Sequence, residues 1–244
     1  DSGILTVLQT NPRGKKTTYT YQNGNIQSVA GQPSTYCPES TYALTEYDTN
    51  GYPTMKSDFN NNKTAYAYNA KGQLIQTIEG YTTPVARTTQ YTWDTTRNRM
   101  IAIEVMGKQR TQFAFTADNR VASVTEINRS NNGVANQARV TAYVYTTHAN
   151  GMLATVTVDG PVAGNGDAVV TSYNASGDLI SVSNSLGHAT TYSNHNGLGQ
   201  PGRITGPNGD IVDYVYDGQG RVLTERRWIA GAAADTVHTY NSQG

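Results

Sequence analysis

The chain holds a single cysteine, Cys37, among 244 residues, so no intrachain disulfide can staple it. Charge is scarce as well: 15% of residues are charged and the formal net charge is zero. Lys15-Lys16 and Arg226-Arg227 are isolated basic pairs expected on solvated surface, and no basic tract points to nucleic acid. No apolar run is long enough to cross a membrane, and no signal peptide is present. The four histidines, His148, His188, His195 and His238, are scattered without His-x-x-x-His or Cys-x-x-Cys spacing, so neither a metal site nor a cofactor is implied. A nucleophile-elbow Gly-x-Ser-x-Gly is missing. Gly164-Asn165-Gly166-Asp167 occurs once and reads as a hairpin loop, not as a calcium-binding repeat. These absences argue against an enzyme.

What is abundant is tyrosine, 17 against 3 phenylalanines. A tyrosine can bury its ring and keep its hydroxyl wet or bonded, which predicts a broad, thin and partly hydrated core. The tyrosines also keep a register. Near the C-terminal end the chain reads Tyr214-Val215-Tyr216-Asp217-Gly218-Gln219-Gly220-Arg221-Val222, and weaker copies run from Tyr19-Thr20-Tyr21 through Tyr66-Ala67-Tyr68 to Tyr143-Val144-Tyr145. About ten units can be placed by a central aromatic: Tyr21, Tyr47, Tyr68, Trp93, Phe115, Tyr145, Tyr173, a degenerate Tyr192, Tyr216 and Tyr240. Function is therefore to be sought in what a repeat array does.

Each unit opens with threonine, tyrosine and valine, which suit a pleated, half-buried strand. Aromatics two apart, such as Tyr66 with Tyr68 or Tyr214 with Tyr216, point to one face of that strand. An Asp or Asn, two small or polar residues and a Gly follow: Asp48 to Gly51, Asn69 to Gly72, Asn174 to Gly177, Asp217 to Gly220. That is a type I turn signature, with glycine where φ turns positive. Asn98 and Asn119 take the glycine's place in two units, as the next-best residue there. An apolar residue comes two places past the glycine (Ile26, Leu74, Leu179, Val222) and begins a second strand. With no sustained 3.6-residue apolar stripe, helix is a poor competitor. The expected fold is all-β, tandem β-hairpins forming one long curved or spiralling antiparallel sheet over residues 1–244, with the tyrosine face packed and the turns along an edge.

Asp48 and Asp217 invite a catalytic or calcium reading, but Asn69 and Asn174 stand in the same place, and an amide cannot act as a general base. The position reads as a turn requirement.

The phrase Tyr216-Asp217 with Gly220-Arg221 resembles the YD repeat of the RHS family, and the likeness extends over the units at Tyr47, Tyr68 and Tyr173 with Asp48, Gly51, Gly72 and Gly177. Asn196-Gly197-Leu198-Gly199-Gln200-Pro201 is similar to Gly-rich linkers between such repeats. In bacterial RHS proteins, toxin-complex C subunits and teneurins these repeats build a hollow β-shell. The resemblance implies a secreted or cell-surface shell wall enclosing a C-terminal toxin domain of the same parent protein, used in interbacterial competition or insect intoxication, with type VI secretion among the export routes. The family's Asp-Pro-x-Gly autocleavage segment and a toxin domain are not in this stretch, so neither activity is implied, and the chain is expected to be a piece of a longer polypeptide. Ten hairpins give about twenty strands and roughly 95 Å of sheet at ~4.8 Å spacing, too little for a closed chamber. The alternative is a cell-surface module binding carbohydrate through exposed tyrosines and asparagines. Unpaired edge strands predict self-association.

Overall fold

A computed structural model describes residues 3–32 and 42–241; Cys37 lies outside the described residues. Among these there is no helix, and twenty strands follow one another. The chain separates into two compact units, one of residues 1–113 with 125–138, the other of residues 114–124 with 139–244.

The first unit contains β1 (Ile4–Thr10), β2 (Lys16–Gln22), β3 (Asn25–Gly31), β4 (Tyr42–Tyr47), β5 (Pro53–Ser57), β6 (Lys63–Tyr68), β7 (Leu74–Glu79), β8 (Arg87–Trp93) and β9 (Met100–Val105), with most of β10 (Gln109–Phe115) and the end of β11 (Val121–Asn128). Successive strands from β1 to β10 pair antiparallel. The second unit contains β12 (Ala138–Thr147), β13 (Leu153–Asp159), β14 (Val169–Tyr173), β15 (Leu179–Asn184), β16 (Ala189–Ser193), β17 (Arg203–Thr205), β18 (Ile211–Tyr216), β19 (Val222–Ile229) and β20 (Ala232–Val237). Their pairing is again antiparallel, neighbour to neighbour. The all-β, tandem-hairpin class is the observed one.

Among the described residues no large side chain is fully buried; the deepest are the small Ala102, Ala168, Ser57 and Thr77. With no helix among the described residues to cover a face, side chains are shielded chiefly by their cross-strand neighbours. Stability must then come from cross-strand pairs and from whatever joins one hairpin to the next.

At each repeat turn the ladder slips by one residue. Tyr47 faces Pro53, Tyr68 faces Leu74, Trp93 faces Met100, Tyr173 faces Leu179 and Tyr216 faces Val222, each just past a β-bulge. The apolar residue after the glycine is thus the cross-strand partner of the central aromatic. The first hairpin keeps the slip, with Tyr21 facing Ile26, but closes differently: Asn23 (φ +52°) and Gly24 (φ +81°) form a two-residue turn between Gln22 and Asn25. Left-handed conformation at both central positions is the type I′ geometry.

Candidate functional site

The repeated feature of this molecule is its row of Asx turns, and the chemistry of the motif is found there. In the turn at Asp48, the carboxylate Oδ1 accepts from the backbone N–H groups of Asn50 and Tyr52, both at 2.9 Å. Asn69 does the same for Lys71 and Gln73, Asn174 for Ser176 and Asp178, and Asp217 for Gln219 and Arg221, all within 2.9–3.0 Å. Only one oxygen is needed for this, which is why Asp and Asn both serve. The fourth residue has positive φ: Gly51 +83°, Gly72 +76°, Gly177 +94°, Gly220 +81° and Asn119 +70°; in the longer turn at Asp94 the fifth residue, Asn98, takes that place at +53°.

Asp and Asn are not freely interchangeable, however. The second polar atom of the first turn residue meets the side chain four places on. Asp217 accepts from Arg221 Nε at 2.7 Å. The amides of Asn69, Asn174 and Asn196 instead donate to Gln73 Oε1, Asp178 Oδ2 and Gln200 Oε1 at 2.7, 2.8 and 2.9 Å. An acid is answered by a donor and an amide by an acceptor. The Asp217 carboxyl is held below its ordinary pKa, first by the Arg221 backbone N–H and then by its guanidinium.

Contacts of three kinds then join one turn to the next. The aromatic or imidazole N–H or O–H of a repeat reaches back to the carbonyl two places past the preceding turn's fourth residue. In the first unit Tyr47 donates to Ile26 O (2.8 Å) and Trp93 Nε1 to Leu74 O (2.7 Å). In the second unit Tyr145 donates to Val121 O (3.0 Å), Tyr216 to Pro201 O (2.9 Å) and Tyr240 to Val222 O (2.8 Å), and His195 Nε2 meets Leu179 O at 2.9 Å. In the other direction, the residue just past one turn's glycine packs on the glycine of the next. The Tyr52 hydroxyl lies over Gly72, Met152 over Gly177, Asp178 over Gly199 and Gln200 over Gly220; a Cβ would collide at Gly72 and Gly220 and crowd its neighbour at Gly177 and Gly199. Gln200 Nε2 also donates to Gly220 O at 2.8 Å. Finally, third-position side chains cap the following turn: Lys71 Nζ donates to Thr95 O at 2.7 Å and Asn150 Nδ2 to Ala175 O at 2.8 Å.

The remaining motif aromatics pack. Tyr68 stacks on Tyr52 with centroids 5.1 Å apart, and Tyr214 on Tyr216 at 6.2 Å. Lys56 sits 5.8 Å over the Tyr66 ring, and Arg221 4.4 Å over that of Tyr240. Burial pushes the hydroxyls of Tyr66, Tyr68 and Tyr216 up in pKa. Tyr173 offers its carbonyl to His148 Nε2 at 2.9 Å.

Three sequence expectations need correction. The aromatic assigned to the degenerate unit was Tyr192, but Tyr192 faces Ile204 within a strand pair, and His195 holds the place before the turn. Asn196 to Pro201 is no linker: Asn196 Oδ1 accepts from Leu198 and Gln200 N–H, and Gly199 has φ +76°, so it is a repeat turn. Arg226 and Arg227 are not merely solvated, since they pair with Asp235 and Glu225. His195-Asn196 in place of Tyr-Asp concealed the eighth turn from a search for tyrosine.

Two clefts open between consecutive turns in the first unit. One of about 610 Å³ is floored by Tyr52 and Tyr68 and walled by Asp48, Asn50, Asn69 and Lys71. The next, of about 330 Å³, lies between Lys71, Ile75, Tyr91 and Trp93. Among the described residues no group of three or more His, Cys, Asp or Glu converges, and no helix is long and apolar enough to cross a membrane.

This arrangement defines a class: a tandem β-hairpin array in which motif aromatics bond one repeat to the next. Solved structures share the fold. A complex of TcdB2 with TccC3 lacking its hypervariable C-terminal region superposes over 99% of this chain and 14% of that one, with TM-score 0.66 and 14% identity. TcdB2-TccC3-Cdc42 gives 0.62 at 14% identity over 99% and 14%, and the Tc holotoxin pore of Photorhabdus luminescens carrying TccC3-D651A gives 0.60 at 13% over 96% and 15%. The chain therefore has the fold of part of a Tc toxin shell and spans about one seventh of those proteins. No protein-family model matches the sequence, and no curated protein matches it either.

Proposed function

We propose that this chain is a wall segment of a secreted, toxin-associated RHS-type shell, a structural element with no catalytic role of its own. Its partner is a toxin domain of the same parent polypeptide, outside these residues. The observation that carries this reading is the fate of the motif: tyrosine hydroxyls are spent on neighbouring repeats, and turn carboxylates and amides inside their own turns. Groups so engaged maintain a wall and leave little for a substrate. Interbacterial competition and type VI export remain part of the proposal only through the family likeness.

The same engagement weighs against the carbohydrate module as first framed. Tyr47, Tyr145 and Tyr216 donate their hydroxyl protons to backbone carbonyls, and Asn69 and Asn174 donate their amides within their own turns. Self-association remains a proposal, supported by the exposed Ile4, Leu5, Val7 and Leu8 of the uncharged β1.

Limited proteolysis of the full parent polypeptide tests the wall. A domain following the repeats should resist protease in the intact protein and become sensitive when Tyr216→Phe and Gly220→Val loosen neighbouring turns. Digestion of that domain at the rate of its isolated form, in the unmodified parent, overturns the proposal.

A further inference from the structure

Seven Asn-Gly pairs run through the chain: Asn23-Gly24, Asn50-Gly51, Asn132-Gly133, Asn150-Gly151, Asn165-Gly166, Asn196-Gly197 and Asn208-Gly209. In this dipeptide the glycine nitrogen can attack the side-chain carbonyl carbon of the asparagine, because no Cβ shields it and the glycine backbone is free to close the ring. A bond forms between that nitrogen and Cγ, the Cγ–Nδ2 bond breaks, and ammonia leaves. Water then opens the cyclic imide at either carbonyl, giving aspartate or isoaspartate. The reaction needs a free side-chain amide, a free glycine N–H and a peptide group between them that can turn.

At six of the pairs the fold withholds one of these. Three glycine nitrogens are donated inside their turns, Gly51 to Asp48 O (3.1 Å), Gly151 to His148 O (2.9 Å) and Gly209 to Gly206 O (3.0 Å). The Asn150 amide is held as well, its Nδ2 by Ala175 O and its Oδ1 by the Met152 N–H. Asn196 is held through its side chain, with Oδ1 accepting from the Leu198 and Gln200 N–H groups and Nδ2 donating to Gln200 Oε1. Asn23 and Gly24 are both fixed at positive φ in the two-residue turn. At Asn132 the carbonyl of the peptide that must rotate accepts twice, from Asn128 Nδ2 at 2.7 Å and Ser130 Oγ at 3.2 Å.

Asn165 meets every requirement. It is exposed in the loop between β13 and β14, with a glycine on either side. Among the described residues neither its side-chain amide nor the Gly166 N–H has a hydrogen-bond partner, and its carbonyl accepts one bond, from the Ala168 N–H at 3.2 Å. Ser185 Oγ donates to Gly166 O at 2.7 Å, which steadies the glycine and leaves its nitrogen uncovered. We propose that Asn165 is a site of spontaneous deamidation, converting to aspartate and isoaspartate ahead of every other Asn-Gly pair in the folded chain. The product places a new carboxylate two residues from Asp167, and its isoaspartate form lengthens the main chain of an exposed loop by one atom. The site shares no residue with the contacts that join the repeats, so it stands or falls independently of the wall reading.

The test ages the whole chain in mildly alkaline buffer, digests it, and quantifies each Asn-Gly peptide by mass spectrometry with fragmentation that separates aspartate from isoaspartate. Conversion at Asn165 should run about tenfold or more ahead of Asn196, whose three side-chain hydrogen bonds must open first. In concentrated urea the seven rates should converge to within about threefold, because the spread belongs to the fold and not to the dipeptide. Gly166→Ala suits the loop, since φ there is outside the left-handed region and a Cβ approaches nothing nearer than Val162 Cγ1 at 3.3 Å. It should slow Asn165 by about tenfold or more by hindering the attacking nitrogen. Asn128→Ala releases the Asn132 carbonyl and should speed that site several-fold with Asn165 unchanged. Any other Asn-Gly pair converting ahead of Asn165 in the folded chain, or Asn165 staying intact there while the urea-unfolded chain converts, overturns the proposal.

Discussion

Replacing Asn174 by aspartate turns a hydrogen bond into a collision of charges, and this is the most direct test of how the turns are built. Asn174 Oδ1 accepts from Ser176 and Asp178 N–H at 2.9 Å, and a carboxylate oxygen serves there equally well. Its Nδ2, however, donates to Asp178 Oδ2 at 2.8 Å. In Asn174→Asp that donor becomes a second carboxylate. The lost bond to a charged group is worth about 1.5–3 kcal/mol. Two unit charges about 4 Å apart repel by ~4 kcal/mol at an effective dielectric of about 20, and rotation of the half-exposed side chains into water relieves much of it. A net destabilisation of about 2 kcal/mol is expected at neutral pH. One carboxyl of the new pair has its folded-state pKa raised by the other, so the deficit is full at pH 7 and shrinks as the pH falls through that raised value. Adding Asp178→Arg recreates the Asp217–Arg221 arrangement and should restore stability to within about 1 kcal/mol of the parent. Urea unfolding at pH 7 and pH 4 reads the global effect, and amide exchange at Ser176 and Asp178 reads the local one, since damage in a repeat array stays near its origin. Parent-like stability of Asn174→Asp at pH 7, or no recovery with arginine at 178, refutes the complementarity rule.

The glycines should respond unequally. Gly220→Val meets both positive φ and the side chains of Leu198 and Gln200 at 2.9 Å, so it should cost about 2 kcal/mol or more, whereas Gly209→Ala, at φ +81° with nothing within 4 Å, should cost about 1 kcal/mol by thermal denaturation. Tyr216→Phe leaves Pro201 O without its donor and should cost about 1 kcal/mol, seen as faster exchange in both adjoining turns. Asp213, held low first by its bond from Arg203, and Asp235, held low by Arg226, contribute stability that is present above the unfolded carboxylate pKa and lost as pH falls through their depressed values; melting temperature should therefore drop between pH 5 and pH 2, and less so in Asp213→Asn.

The hairpins were readable in the sequence because their determinants are local. Asn98 and Asn119 adopt the positive φ that their place in the phrase demands, and Leu74 and Val222 face the tyrosines that precede their turns. What one turn does to the next was not readable. Whether Gln200 reaches Gly220, or Tyr216 reaches Pro201, depends on strand register across an intervening loop, and those loops vary in length. Cross-strand pairs such as Thr155 with Ser172 and Ser181 with Thr191 are hidden for the same reason, since they share no motif position and meet only once the sheet is assembled. His195 shows a further limit, because a search by residue type misses a donor of different chemistry doing a tyrosine's work.

The pairing of the first and fifth turn residues also sets how this molecule can be edited. A turn carrying both members of its pair, Asn174 with Asp178 or Asp217 with Arg221, is a self-contained cassette that could be transplanted between hairpins with its internal bonds intact. A crossover between those two residues would join an amide to a guanidinium, or an acid to an acid. Grafts that respect the five-residue boundary, and chimeras that cut inside it, should differ in yield even when every substituted residue is drawn from another copy of the same repeat.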